Sequence, residues 1–127
     1  MRAKLLFAPV LAAGLAVTGA VPASAAQGPE NGRITFSRYN PAVGAPVVWV
    51  ADSDGQNPHQ LVAGPSFFSD WSPDGTRIAF DFEDDTGVHI ATIGPEGQQR
   101  ETLVSDPGVQ ETPDWSPGGE WVTYGAM

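Results

Sequence analysis

The sequence contains no cysteine and few basic residues, and both shortages narrow what the chain can do. Without cysteine there is no disulfide to hold the domain, no cysteine nucleophile and no lipid-anchored lipoprotein. Lys and Arg number 6 against 15 Asp and Glu, which leaves a formal net charge of −9. A surface of that sign repels nucleic acid phosphates and anionic membranes. We therefore expect no nucleic acid partner.

Long hydrophobic runs are also missing, because the mostly apolar stretch Leu5–Val17 is too short to span about 30 Å of hydrocarbon. Basic residues precede this stretch and Ala23-Ser24-Ala25 follows it, in the order of an export signal with a small-residue cleavage site. We interpret residues 1–25 as a signal peptide cleaved after Ala25, rather than as a membrane anchor. The sequence predicts a secreted, periplasmic or cell-envelope protein, without stable membrane insertion after cleavage, whose residues 26–32 form a flexible start.

Helix signals are absent from the rest of the chain, because Gly and Pro interrupt every long stretch. One tract of this region occurs twice. Trp71-Ser72-Pro73-Asp74-Gly75 returns 44 residues later as Trp115-Ser116-Pro117-Gly118-Gly119. The strand-like segment Ile78-Ala79-Phe80 follows the same step, aligning with Val122-Thr123-Tyr124 and with Ile34-Thr35-Phe36. A period near 44 built from short strands is the length of one four-stranded propeller blade.

Short β-rich runs between turn residues predict nine strands. The clearest contains Ile78, Phe80 and Phe82 on one face, with Ala79 and Asp81 on the other. The predicted strands are 33–39, 46–52, 58–63, 67–72, 76–83, 87–94, 100–105, 109–116 and 120–126.

The Trp-Ser-Pro-Asp-Gly tract followed by an Ile-Ala-Phe strand resembles the WD40-like PD40 repeat of TolB-type β-propellers. The resemblance divides residues 33–127 into repeats at about 33–63, 66–105 and 109–127. It implies an all-β fold of four-stranded antiparallel blades, with the Trp-containing strand nearest the propeller axis. It also implies that Trp71 and Trp115 pack between adjacent blades.

The strand count falls short of a closed ring. It gives little more than two blades after Arg33, whereas closure needs about four to eight. We therefore expect an incomplete, open propeller, interpreted as a truncated product; the alternative is that several copies assemble into a ring. A further alternative is a remnant that does not fold alone.

Catalytic and metal-binding patterns do not emerge from the sequence. There is no Gly-x-Ser-x-Gly elbow, and His59 and His89, interpreted as solvated and as a packing or surface residue, lack nearby zinc-ligand partners. Asp52-x-Asp54-Gly55 echoes the start of a calcium loop but lacks its downstream ligands, so a hairpin turn is the preferred interpretation. Glu83-Asp84-Asp85 is interpreted as a solvated loop. We therefore predict no catalytic residue, no cofactor and no metal site.

Two classes of function remain in competition. The resemblance implies an exported, non-catalytic scaffold that binds a protein, a peptide or another ligand through loops on one face of the disc. On that face we expect the turns at Pro73 and Pro117, and Trp121 as a candidate binding residue. The alternative, also by resemblance, is the propeller part of a prolyl-oligopeptidase-like serine peptidase or of a sugar lyase, with the catalytic part elsewhere.

Overall fold

The computed structural model describes residues 32–127 and the backbone of Arg2–Lys4, and this part of the chain folds as strands and turns. The rest of the predicted signal peptide, and all of the predicted flexible start except Gly32, lie outside the described residues. Within the described residues, no helix is long and apolar enough to cross a membrane. The strands are β1 (Arg2–Lys4), β2 (Ile34–Asn40), β3 (Ala45–Ala51), β4 (His59–Gln60), β5 (Ser66–Trp71), β6 (Ile78–Asp84), β7 (Gly87–Ile93), β8 (Glu101–Val104), β9 (Gly108–Trp115) and β10 (Trp121–Ala126).

All nine predicted strands are present, and eight of them begin and end within two residues of the predicted positions. The exception is the strand predicted at 58–63, which shortens to β4. Pro58 cannot donate a ladder hydrogen bond, and after β4 only the Leu61 N–H still reaches across, to the Val48 carbonyl at 2.9 Å. The short strand β1 was not predicted.

The strands form blades. The second blade is complete and consists of β5, β6, β7 and β8, paired antiparallel in chain order. The first blade contains β2, β3 and β4, and the third contains β9 and β10. The first blade therefore contains the second, third and fourth strands of the repeat. The second blade contains all four strands, and the third contains the first and second strands. The described sheets do not close into a ring, and the predicted all-β, open propeller is confirmed.

Two further pairings join the blades and the N-terminal segment. At Gly87 and Gly108, β7 and β9 run parallel for two residue pairs, which connects the second and third blades into one sheet. On the other edge of the third blade, β1 pairs antiparallel with β10, with Ala3 opposite Val122. The third blade is thus paired along both of its edges.

Two apolar cores lie between the three blades. The first core joins Val48 and Val50 of the first blade to Ile78 and Phe80 of the second, and Trp71 packs against it. The second core contains Ala79, Ile90, Val104, Trp115 and Val122, from the second and third blades. Because alternate residues of β6 enter different cores, both faces of this strand are buried. The implied packing of Trp71 and Trp115 at blade boundaries agrees with this arrangement.

Two carboxylates, the buried Asp81 and the half-buried Asp70, fasten the second blade to the third. Asp81, with no exposed surface, accepts hydrogen bonds from the backbone N–H groups of Phe67 and Phe68 at 3.0 Å and of Thr112 at 3.2 Å. Asp70 accepts the Trp115 N–H at 2.8 Å. Burial raises the pKa of both carboxyl groups above 3.8, although these N–H bonds favour the charged form. Asp81 thus shows that the β6 face opposite Phe80 meets another blade rather than solvent.

Candidate functional site

The repeated tracts form two equivalent turns, one between β5 and β6 and the other between β9 and β10. In the β5–β6 turn the Gly75 N–H reaches the Ser72 carbonyl at 2.8 Å, and the Ser72 Oγ accepts the Arg77 N–H at 2.9 Å. In the β9–β10 turn, the Gly119 N–H reaches the Ser116 carbonyl at 2.8 Å. Gly75 and Gly119 have φ of 70° and 72°, a region that glycine enters without steric cost. Pro73 and Pro117 lie exposed at equivalent places in these turns.

The two turns differ at the position where Asp74 is replaced by Gly118. The Asp74 carboxylate accepts the Ser72 hydroxyl at 2.7 Å and both the backbone N–H and the hydroxyl of Thr76. These bonds lower the pKa of Asp74, with the Ser72 hydroxyl contributing most. Gly118 offers no such acceptor, so the second turn relies on backbone bonds and on Ser116 Oγ, which accepts the Trp121 N–H at 3.1 Å. An ionised carboxylate therefore distinguishes the β5–β6 turn.

A cleft of about 350 Å³ separates these two turns, and we name it the second cleft because it lies between the second and third blades. Arg77 and Trp115 form part of its wall, and Trp115 is only 7% exposed. The remaining lining residues come from the two turns: Ser72, Pro73, Asp74, Thr76, Gly118 and Gly119. The second cleft is therefore built almost entirely from repeat-signature residues and their neighbours.

A similar cleft of about 380 Å³, the first cleft, lies between the first and second blades. Arg33 and Trp71 lie in its wall, together with Gly32, Ser72, Pro73, Gly75 and Pro95. The Arg33 guanidinium forms an ion pair with Glu96, and its Nη2 lies 3.4 Å from His59 Nε2. The His59 Nε2 is also 3.1 Å from the Pro95 carbonyl, so His59, interpreted from the sequence as solvated, is half-buried and has protein contacts.

The two clefts are related by the sequence repeat. Arg33 and Arg77 are 44 residues apart, and so are Trp71 and Trp115. Each cleft pairs an arginine that precedes the second strand of one blade with the tryptophan that ends the first strand of the next blade. Sequence reasoning singled out the tryptophans and missed the arginines. The 44-residue spacing of Arg33 and Arg77 was the available signal.

Trp121 stands where the repeat would place a third arginine. It begins β10, is half-buried, and pairs with the backbone of Lys4 in β1. Trp121 is not among the residues that line either cleft. We name the surface that carries the β5–β6 and β9–β10 turns the turn face. The structure therefore puts Trp121 beside the turn face, apart from the Arg–Trp pairs.

Apart from Asp74 in the second cleft and His59 beside Arg33, the titratable groups singled out in the sequence lie away from the clefts. His89 is buried, 1% exposed, with its Nε2 at 3.1 Å from Asp84 and its Nδ1 at 3.2 Å from Gln110 Oε1. Bonds from Thr86, foremost, and from His89 lower the pKa of Asp84 to about 2. Asp52 and Asp54 bind Asn57 and Gln56 inside their own hairpin turn.

In the described part of the chain, no group of three or more His, Asp or Glu side chains is placed to hold a metal ion. What the geometry brings together is instead a pair of repeat-related clefts on one face of three stacked antiparallel blades, of which the second is a complete four-stranded sheet. Stacked antiparallel blades of this kind, with a 44-residue period, define a β-propeller.

The chain is similar to curated proteins over its repeats. It is 36% identical over 75 residues to the Tol-Pal system protein TolB of Alcanivorax borkumensis, a match that covers 55% of this chain and 17% of that protein. It is 35% identical over 66 residues to the uncharacterized protein YidR of Escherichia coli K12, covering 50% of this chain and 16% of YidR. No model of a protein family matches. The chain thus spans about a sixth of the length of these relatives.

Solved structures agree on the fold. A TolB-type protein from Agrobacterium tumefaciens superposes with a TM-score of 0.68 at 22% identity, over 75% of this chain and 34% of that one. TolB from Acinetobacter baumannii gives 0.67 at 28% identity, over 76% of this chain and 25% of that one. The chain therefore has a β-propeller fold similar to that of TolB, and the resemblance to TolB-type propellers that its sequence motifs predicted is confirmed.

Proposed function

We propose that this TolB-like propeller is an exported, non-catalytic scaffold that binds a protein or peptide partner on its turn face. The observation that carries the proposal is the pair of repeat-related clefts, both of which open beside the same set of turns. Partner binding by propellers uses loops gathered at one end of the blades. A fold alone does not assign a function, so the proposal rests on these clefts and on the relatives.

Two further observations support a protein partner. One relative is named as a protein of the Tol-Pal system. The net charge of −9 opposes contact with nucleic acid phosphates. We also propose that residues 1–25 are an export signal cleaved after Ala25, that residues 26–32 are a flexible start, and that the chain acts in the periplasm, at the cell envelope or outside the cell.

Site-specific photo-crosslinking in living cells tests the proposal. A benzoylphenylalanine replaces Gly118, which lines the second cleft and where an added Cβ meets no atom within 4 Å. The matched control places the same residue at Asp85, an exposed position in the β6–β7 turn. Because blade strands alternate in direction, that turn lies at the opposite end of the blade.

We expect a discrete cross-linked protein from position 118 and none from position 85. Equal cross-linking from both positions would indicate random encounter and contradict a binding face at the turns. A complete absence of cross-links at position 118, with the chain exported and folded, would also contradict it.

A further inference from the structure

Each cleft contains buried hydrogen-bond donors that have no partner. Among the described residues, the buried side-chain nitrogens without a hydrogen bond are the Nε of Arg33 and Arg77 and the indole Nε1 of Trp49, Trp71 and Trp115. Four of these five line the two clefts, one arginine and one tryptophan in each. Native proteins leave few buried polar groups unpaired, so a repeated pair of them calls for an explanation.

The other guanidinium nitrogens in the clefts are occupied in part. The Arg77 Nη2 donates to Thr92 Oγ1 and, at 3.0 Å, to the Gln99 carbonyl. Arg33 donates to Glu96. These contacts hold each arginine in place and leave its Nε–H unused. An arginine Nε–H and an indole N–H can only donate, so the matching group must bring oxygen lone pairs.

We propose that the two clefts are repeat-related seats for oxygen acceptors of a partner's peptide segment, with the Arg Nε–H and the Trp indole N–H as the two donors of each seat. The acceptor is a planar oxygen group, either a backbone carbonyl or a carboxylate. The inference deepens the proposed function and rests on it, since the partner is a protein. Nothing in the spacing of Trp71 or Trp115 alone identifies such a seat; the arginine of the preceding repeat completes it.

The four donor nitrogens are buried in the cleft walls. The proposal therefore requires that an adjacent turn shift outward when the acceptor binds. Pro73, Gly75 and Gly118 are exposed in those turns. The third repeat has Trp121 at the arginine position and so lacks this donor pair. The structure therefore contains two seats of one kind within the described residues.

Indole N–H resonances of the full-length chain, labelled with ¹⁵N-tryptophan, test the proposal directly. Four cross-peaks are assigned through single Trp→Phe variants, and the chain is titrated with acetamide and, separately, with sodium acetate against sodium chloride of equal ionic strength. We expect saturable shifts of the Trp71 and Trp115 peaks. The Trp49 peak is the internal control, because its N–H is also buried and unpaired but lines neither cleft.

The two probes separate the two acceptor sources. A carbonyl seat responds to acetamide, and a carboxylate seat responds more strongly to acetate despite the repulsion from a chain of net charge −9. Arg77→Lys keeps the charge but removes the Nε–H, so the Trp115 response should be lost while the Trp71 response stays. Arg33→Lys should give the reverse. The retained response shows in each case that the variant is folded.

Three results would overturn the inference: no shift with either probe, a Trp49 shift equal to the others, or a Trp115 response that survives Arg77→Lys. Failure of the proposed function looks different. If the NMR shifts occur but position 118 yields no cross-link, the seats exist without a protein partner. If the cross-link forms but the indole peaks do not respond, the partner uses the turn face without these donors.

Discussion

The indole of Trp115 is the largest side chain in the core between the second and third blades, and its removal measures what holds those blades together. Trp115→Ala empties a site that is only 7% exposed. Large-to-small changes of buried tryptophan cost about 3–5 kcal/mol. Since a small domain is stable by about 5–15 kcal/mol, the variant should lose about a fifth or more of its free energy of unfolding.

The assay is urea unfolding followed by fluorescence of the remaining tryptophans. Trp115→Phe is the matched variant: it keeps an aromatic ring and removes an indole N–H that has no partner. Removal of an unpaired buried donor, worth about 1–3 kcal/mol, should offset most of the stability that is lost with the smaller ring. An Ala variant with the midpoint and slope of the parent would refute the packing role, and so would a Phe variant as unstable as the Ala variant.

The remaining predictions concern a buried acid, a close backbone approach and a turn. Burial raises the pKa of Asp81. The stabilising contribution of Asp81 is therefore complete below about pH 4 and is lost as the pH rises through the folded-state pKa. In urea melts, the stability of Asp81→Asn relative to the parent should increase between about pH 4 and 7. Gly87→Ala places a Cβ 2.0 Å from the Gly108 carbonyl oxygen at φ 145° and should cost more than about 2 kcal/mol by thermal unfolding. Ser72→Ala removes the acceptor of the Arg77 N–H and should cost about 1–2 kcal/mol in the same assay.

Each of these three has an outcome that contradicts it. A pH-independent difference between Asp81→Asn and the parent would show that the carboxyl group titrates as it does in the unfolded chain. Gly55→Ala is the control for Gly87, because Gly55 has φ 81° with nothing within 4 Å of the added Cβ; equal costs would deny the close approach. Ser116→Ala breaks only the longer 3.1 Å bond to Trp121, so a cost above that of Ser72→Ala would contradict the turn geometry.

The sequence was sufficient to predict the positions of the strands because the same strand and turn pattern occurs more than once in the repeat. Turn chemistry at Pro73-Asp74-Gly75 and the alternation of Ile78 and Phe80 indicate where strands begin and which residues share a face. The strand predicted at 58–63 was too long, since Leu61 and Val62, which follow β4, enter the core and only the Leu61 N–H continues the ladder.

The two clefts could not be predicted from the strand pattern, and the reason is physical. Each one joins an arginine of one repeat to a tryptophan of the next, 38 residues on in both cases, and only the stacking of blades brings them together. The burial of Asp81 was hidden in the same way. Alternation placed it opposite Phe80, but only the adjacent blade, through the Thr112 N–H, shows that this second face is covered too.

Because the clefts form at blade boundaries, their number is tied to the number of boundaries, and duplication of one 44-residue unit adds a blade and a cleft together. A peptide long enough to reach from one cleft to the next would bind the second seat intramolecularly, at an effective concentration set by the spacer between its two acceptors. Weak individual seats then yield a strong total affinity, and gene duplication becomes a route to avidity that requires no change in any contact.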